Sequence, residues 1–294
     1  MQRNQINPVS RKTSILGIVF GLGAASVFVF GAVGRTWSDG QQPTLLIAAG
    51  IAFVLQWIAF AFAWRRQSER FFDLIGSATF ISVALISVVM STPSIGALDV
   101  ALACAVIVWA SRLGTFLSSR VRAVGSDNRF KAMKRDFFWF LMTWTLQGTW
   151  VVVTASAAMT VIGDQHAQPL GVVEILGLLI WATGLLIEVI ADQQKKEFRL
   201  AGNTSFISSG LWSRSRHPNY FGEILLWSGI ALAAAPSLHG WQHITLLSPV
   251  FVWLLLMKIS GAPMLEAKAD RRWGHEPAYN EYKKTTPLLL PRLW

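Results

Sequence analysis

Residues 213–229 read SRSRHPNYFGEILLWSG, so Arg214, Arg216, His217, Asn219, Tyr220 and Glu223 open directly onto an apolar stretch. Donors, acceptors and both signs of charge stand within ten residues of one another, a composition suited to holding a polar ligand. Pro218 suits the first turn of a helix, with Ser215 or His217 near its N-cap. A helix starting there points backbone N–H groups and its positive dipole end at Arg214, Arg216, His217 and Asn219, which suits phosphate. Glu223 and Trp227 follow one and two turns in, on the face of Asn219, where a carboxylate and an indole can receive amide and ribose groups. A plainer reading anchors Arg216 and His217 to lipid headgroups and pairs Glu223 with an arginine; it accounts poorly for Asn219.

Two other segments carry similar chemistry. In LLIEVIADQQKKEFR, residues 185–199, Glu188, Asp192, Lys195 and Arg199 recur on one helical face. Glu188 falls within a turn of an apolar boundary, where a carboxylate needs a partner or water; a solvated helix end laced with salt bridges is the simpler account. In WASRLGTFLSSRVRAVGSDNRF, residues 109–130, Arg112 and Arg120 share a face with Phe116 between them, and Arg122, Asp127 and Arg129 continue into a loop. Arg112 is expected in the last turn of its helix. Glu266 opens a basic, amphipathic tail that can lie at a membrane surface.

The elements that must position these residues are membrane helices. The chain of 294 residues is 53% hydrophobic and 14% charged, against about 25% charged in soluble domains. Apolar windows fall near 14–34, 43–64, 71–91, 95–111, 137–162, 170–191, 220–236 and 243–260, each close to the ~20 residues that cross a bilayer. The fold expected is all-α and polytopic, with about eight transmembrane helices and a C-terminal interfacial segment. The first window is read as an uncleaved helix rather than a signal peptide.

If the windows alternate from a cytoplasmic N-terminus, 25 of the 26 Lys and Arg residues fall on one side and Arg35 alone on the other. That segregation is the positive-inside pattern. It supports both the count and the orientation, with N- and C-termini cytoplasmic, and it accounts for the net charge of +10 without nucleic acid. Cys104, the single cysteine, is expected as a small core residue. No metal-ligand spacing, Gly-rich dinucleotide fingerprint or P-loop is present.

Taken together, GLWSRSRHPNYFGEILLWSG, preceded by EVIADQQKKEFR and followed by SGAPMLEAKADRRWG and YKKTTPLLLP, resembles the steroid 5α-reductase-like membrane family, in its bacterial DUF1295 branch. The RHPNYFGE segment alone is also similar to isoprenylcysteine carboxyl methyltransferases and related phospholipid methyltransferases; ADQQK tips the choice towards the reductases. The resemblance covers roughly 65–294, dividing the chain into N-terminal transmembrane helices (1–64) and a reductase-like membrane domain (65–294). It adds an N-terminal helix to a seven-helix core.

The resemblance implies a cytoplasm-facing NADPH site. By it, Glu188, Asp192 and Arg199 match cofactor-binding positions, with Lys195 on the same face. Asn219, Glu223 and Trp227 match positions on the next helix, where Glu223 lies near the nicotinamide amide. Arg112, Arg120 and Glu266 fall near other cofactor-lining positions, and Arg216, His217 and Tyr220 are assigned to phosphate or ribose. Where steroid reductases carry a carbonyl-polarising tyrosine, this chain has Trp109, and the acidic partner of that tyrosine corresponds to Asp73. Asp73, Trp109 and Glu223 form the candidate catalytic set.

The expected reaction is NADPH-dependent reduction of a carbon–carbon double bond, conjugated to a carbonyl, in a lipophilic steroid-like or isoprenoid substrate at a bacterial inner membrane. An S-adenosylmethionine-dependent membrane methyltransferase is the alternative; it needs carboxylates for ribose and an aromatic face for the sulfonium, but fewer phosphate-directed arginines. A non-enzymatic transporter or assembly factor would need a polar path through the bilayer, whereas the charges here gather at one end.

Overall fold

The computed structural model describes residues 9–38, 43–91, 94–124, 130–164, 166–167 and 169–292, with backbone alone for 34–38 and 119–124. Eleven α-helices occur among them: α1 (Arg11–Ser38), α2 (Thr44–Arg66), α3 (Phe72–Ser91), α4 (Ala97–Val124), α5 (Phe130–Met133), α6 (Phe137–Ile162), α7 (Val172–Leu200), α8 (Pro218–Ala234), α9 (Ser248–Leu254), α10 (Ala262–Trp273) and α11 (Pro277–Thr285). Seven stretches are long and apolar enough to cross a membrane: Arg11–Val33, Thr44–Arg66, Phe72–Ser91, Ala97–Ser118, Phe137–Ile162, Val172–Leu200 and Gly240–Trp273. The chain is a polytopic helical membrane protein. The window at 220–236 forms α8, whose 17 residues end where Pro236 interrupts the backbone hydrogen bonding.

Two compact units divide the described chain: one of residues 1–170 with 237–245, the other of 171–236 with 246–294. The first unit is built around α6, in which every residue from Val151 to Ile162 is buried, as expected of a helix apolar on all sides. Asp136 caps its start by accepting the Trp139 N–H at 2.8 Å. Polar side chains tie the helices within this apolar interior. Gln56 donates to Thr79 at 2.9 Å, Trp57 to Thr145 at 3.1 Å and Gln147 to the Phe72 carbonyl at 3.2 Å. Phe80, Trp109 and Trp150 meet edge to face, with centroids 5.1, 4.9 and 6.0 Å apart.

Two sequence expectations change in this unit. Cys104 is exposed on α4 rather than part of the core; its turn of helix presents Ala103 and Ala105 inward instead. Arg112 is not in a final turn, because α4 runs on to Val124. Nothing between Arg112 and Val124 breaks the helix, which carries no Pro and Gly114 alone among its glycines.

In the second unit α7 and α8 pack backbone to backbone. Gly177 and Gly184 on α7 face Gly229 and Gly222 on α8. A Cβ on Gly177 would lie 2.7 Å from the Gly229 carbonyl oxygen, and one on Gly184 2.6 Å from that of Gly222. Glycines seven residues apart on both helices leave a smooth strip, so the two backbones touch where side chains normally separate them. The window at 243–260 does not form one helix. It resolves into a 3₁₀ segment (Gly240–Leu247), α9, and a π turn (Leu255–Ile259). Pro249 lies in the first turn of α9, and the backbone breaks again at Gly261 before α10.

Candidate functional site

The polar residues of the second unit converge where α7 ends and α8 begins. His217 is the N-cap of α8 and Pro218 its first residue, the placement that the fixed φ and missing N–H of proline favour. The glycine strip sets the depth of this junction: a Cβ on Gly222 would fall 2.7 Å from the Glu188 nitrogen, so Glu188 lies directly against α8. Glu188 and Asp192 are buried on α7, and Asn219 Nδ2 donates to Asp192 Oδ1 at 3.3 Å across the two helices.

The loop ahead of α8 is pinned from three directions. Gly210, at φ +61°, lets the chain turn so that the Leu211 N–H reaches Gln194 Oε1 at 2.9 Å. Trp212 donates its indole N–H to the Ala191 carbonyl at 3.0 Å and receives the Lys195 ammonium 4.2 Å above its ring. Ser215, fully buried, donates to the Leu289 carbonyl at 2.8 Å and accepts the His217 N–H at 3.2 Å. The C-terminal segment completes the hold. The Arg216 N–H bonds to the Pro287 carbonyl at 2.9 Å, and the Arg292 N–H to the Arg214 carbonyl at 3.0 Å.

Glu266, from α10, takes both basic side chains of this loop. One carboxylate oxygen pairs with Arg216 Nη1 and the other lies 2.9 Å from His217 Nε2. The Tyr220 ring stacks on the imidazole, with centroids 5.2 Å apart and planes 8° from parallel. Gly261 also approaches Tyr220, since a Cβ there would lie 2.9 Å from Tyr220 Cε2. Burial, the largest influence, lowers the His217 pKa below its ordinary 6.5, and Lys195 and Arg216 add to that effect; the Glu266 hydrogen bond and charge oppose it. Three buried polar atoms here meet no hydrogen-bond partner among the described residues: Arg216 Nε, His217 Nδ1 and Asn219 Oδ1. Such atoms are uncommon in folded interiors.

Of the residues singled out from sequence, Glu188, Asp192, Arg216, His217, Asn219, Tyr220 and Glu266 share this junction. Lys195 lies half-buried on Trp212, and Arg199, one turn on, is exposed. Glu223 lies partly buried just inside α8, and Trp227 is fully buried one turn beyond it. Asp73, Trp109 and Arg112 belong to the first unit: Asp73 in the first turn of α3, Trp109 buried against Phe80 and Trp150, and Arg112 with its guanidinium 5.2 Å from the Phe116 ring centroid. The Arg120 side chain, with Asp127 and Arg129, lies outside the described residues.

Sequence reasoning missed Trp212, Gln194 and the tail carbonyls, and named Ser215 only as an N-cap candidate. It also missed the four glycines, although their equal seven-residue spacing on consecutive helices was a legible signal.

The chain is 29% identical over 121 residues to 3-oxo-5-alpha-steroid 4-dehydrogenase 1 of Bos taurus, covering 40% of this chain and 42% of that protein. With the protein of the same name from Macaca fascicularis it shares 30% over 122 residues, 41% of each. It is also 25% identical over 182 residues to Probable O-methyltransferase ustE of Ustilaginoidea virens, covering 53% of this chain and 59% of that protein. The chain thus spans about two fifths of the length of the steroid dehydrogenases it matches. No solved structure matches it at comparable significance. The model of the family described as Protein of unknown function (DUF1295) matches residues 59–286, and the chain belongs to that family.

Proposed function

We propose that the protein is a membrane-embedded reductase that uses NADPH to saturate a carbon–carbon double bond conjugated to a carbonyl in a lipophilic, steroid-like or isoprenoid substrate. The observation that carries this reading is the junction of α7 and α8, where Asp192, Asn219, His217 and Arg216 gather with three buried hydrogen-bonding atoms that meet no partner among the described residues. That donor and acceptor set fits a nucleotide: Asn219 Oδ1 and His217 Nδ1 suit hydroxyl or amide N–H groups, and Arg216 Nε suits an oxygen. The likeness to 3-oxo-5-alpha-steroid 4-dehydrogenase 1 supports oxidoreductase chemistry over other uses of such a site.

In this reading Glu188, Asp192 and Asn219 orient the cofactor, with Lys195, Arg199, Tyr220, Trp227 and Glu266 completing the site in the second unit. For Arg112 and Arg120 a cofactor-lining role rests on the family resemblance alone. NADPH, when bound, supplies the hydride. Glu223 organises the proton donor that meets negative charge developing on the substrate carbonyl; for Asp73 the same role, and for Trp109 the shaping of apolar surroundings, rest on the family resemblance alone. Substrate enters from membrane lipid and cofactor from the cytoplasm, with both chain termini on the cytoplasmic side of a bacterial inner membrane. The division at 64/65 into N-terminal helices and a reductase-like domain belongs to the same reading.

An S-adenosylmethionine-dependent methyltransferase is the second reading. It is favoured by the match to the O-methyltransferase, which covers more of this chain than the steroid dehydrogenase matches do. Binding of NADPH, NADH and S-adenosylmethionine to detergent-purified protein separates the two. NADPH preference is expected; preference for S-adenosylmethionine overturns the reductase reading.

A further inference from the structure

The sequence leaves His217 open to two uses, a phosphate contact or a sugar contact, and Glu266 distinguishes them. An ionised carboxylate only accepts hydrogen bonds, so the 2.9 Å contact to Glu266 Oε1 assigns the ring proton to Nε2. His217 Nδ1 is then a bare lone pair. It is buried and meets no donor among the described residues, in a residue only 4% exposed. A lone pair repels a phosphate oxygen and asks for a hydroxyl. The arginine beside it is already engaged, since Arg216 Nη1 is paired with the other oxygen of the same carboxylate. The anion that this basic pair would attract is supplied from within the chain.

We propose that Glu266 acts as a positioning residue that fixes His217 as a hydrogen-bond acceptor, and that its Nδ1 receives a ribose hydroxyl of the nucleotide cofactor rather than serving a phosphate clamp. Glu266 itself favours a second proton on the imidazole, and burial, the larger influence, outweighs it. Tyr220 from α8 stacks on the ring, while Lys195 from α7 and Arg216 from the loop disfavour a second proton on it. Asn219 Oδ1, a second buried acceptor two residues on, is suited to a neighbouring hydroxyl. The inference rests on the nucleotide reading above but not on the choice of cofactor, because NADPH and S-adenosylmethionine both carry ribose.

Two substitutions separate the two nitrogens. The amide of His217→Gln reaches the place of Nε2 and keeps the Glu266 contact while losing the acceptor at Nδ1; the shorter His217→Asn keeps an acceptor near Nδ1 and loses Glu266. Binding of NADPH and S-adenosylmethionine is measured by calorimetry alongside thermal melting. The Gln variant should melt like the parent yet bind the cofactor about threefold to tenfold more weakly, as loss of one neutral hydrogen bond predicts. The Asn variant should keep affinity and lose stability. Parental affinity in the Gln variant overturns the inference. So does competition by millimolar pyrophosphate that the parent shows and the Gln variant lacks.

If the variants fail to fold, ¹⁵N-histidine NMR of the parent decides the matter. The His217 Nδ1 resonance should move towards the hydrogen-bonded range on addition of cofactor, and an unmoved resonance overturns the inference. Binding of S-adenosylmethionine alone sinks the reductase reading and leaves this inference to be judged by the same comparison. Binding of neither cofactor overturns both.

Discussion

Gly184 and Gly222 face each other so closely that a Cβ on either would lie 2.6 Å from the other's carbonyl oxygen. No side chain can enter that gap without driving α7 from α8. The register it enforces places Glu188 against Gly222 and brings Asp192 within hydrogen-bond reach of Asn219. The polar junction therefore depends on residues that have no polar chemistry of their own.

Gly184→Ala or Gly222→Ala should destabilise the protein by about 1–3 kcal/mol or more, because the obstructing atoms are backbone and cannot rotate away. If the proposed function holds, cofactor affinity should fall with it. Gly50→Ala is the control, since a Cβ there meets nothing within 4 Å among the described residues and alanine is the better helix former. Thermal melting in detergent compares them. Equal melting of Gly222→Ala and Gly50→Ala would count against the packing argument.

Removing residues 287–294 should release the loop ahead of α8. The Arg216 amide loses the Pro287 carbonyl and Ser215 loses that of Leu289. Hydrogen exchange at Arg216 should accelerate while the middle of α8 stays protected, since local opening needs only the broken contacts. Unchanged protection at Arg216 would show that the tail does not hold the loop.

Trp212→Phe keeps an aromatic ring for Lys195 but deletes the indole donor to the Ala191 carbonyl. The Ala191 carbonyl keeps its bond within α7, so the loss is that of one neutral hydrogen bond, about 0.5–1.5 kcal/mol. Stability should fall by that order, and cofactor binding should weaken as the loop loosens from α7. A melting curve matching the parent's would contradict this.

The lowered His217 pKa predicts an acid limb of stability. Near pH 6.5 the unfolded chain takes up a proton that the folded chain resists, so this contribution is fully present above about 6.5 and is lost as pH falls through the lowered folded value. Melting temperature should drop across that window in the parent and drop less in His217→Gln. Identical pH profiles would remove His217 as the cause.

The helices were legible because bilayer thickness dictates their length and lipid their composition. The window at 137–162 is α6 to the residue, and 71–91 differs from α3 only at its first residue. Boundaries failed where continued helix carries charge, as beyond Arg112 in α4, and where apolar composition hides a change of backbone geometry, as in the 3₁₀ and π segments around α9. Hydropathy registers side-chain partitioning and is blind to which carbonyl an N–H chooses. Cys104 went wrong for a related reason, since an apolar run in a membrane helix does not say which side faces lipid.

By itself the sequence determined a polytopic helical chain, and helical periodicity put Glu188 and Asp192 on one face and Asn219 and Glu223 on another. Only the tertiary structure decided that Glu266, 49 residues beyond His217, closes on both His217 and Arg216. Periodicity relates residues within one helix. Contacts between helices depend on how closely two backbones approach and on where the chain breaks, at the glycine strip and at Gly261, and those distances are properties of the folded chain.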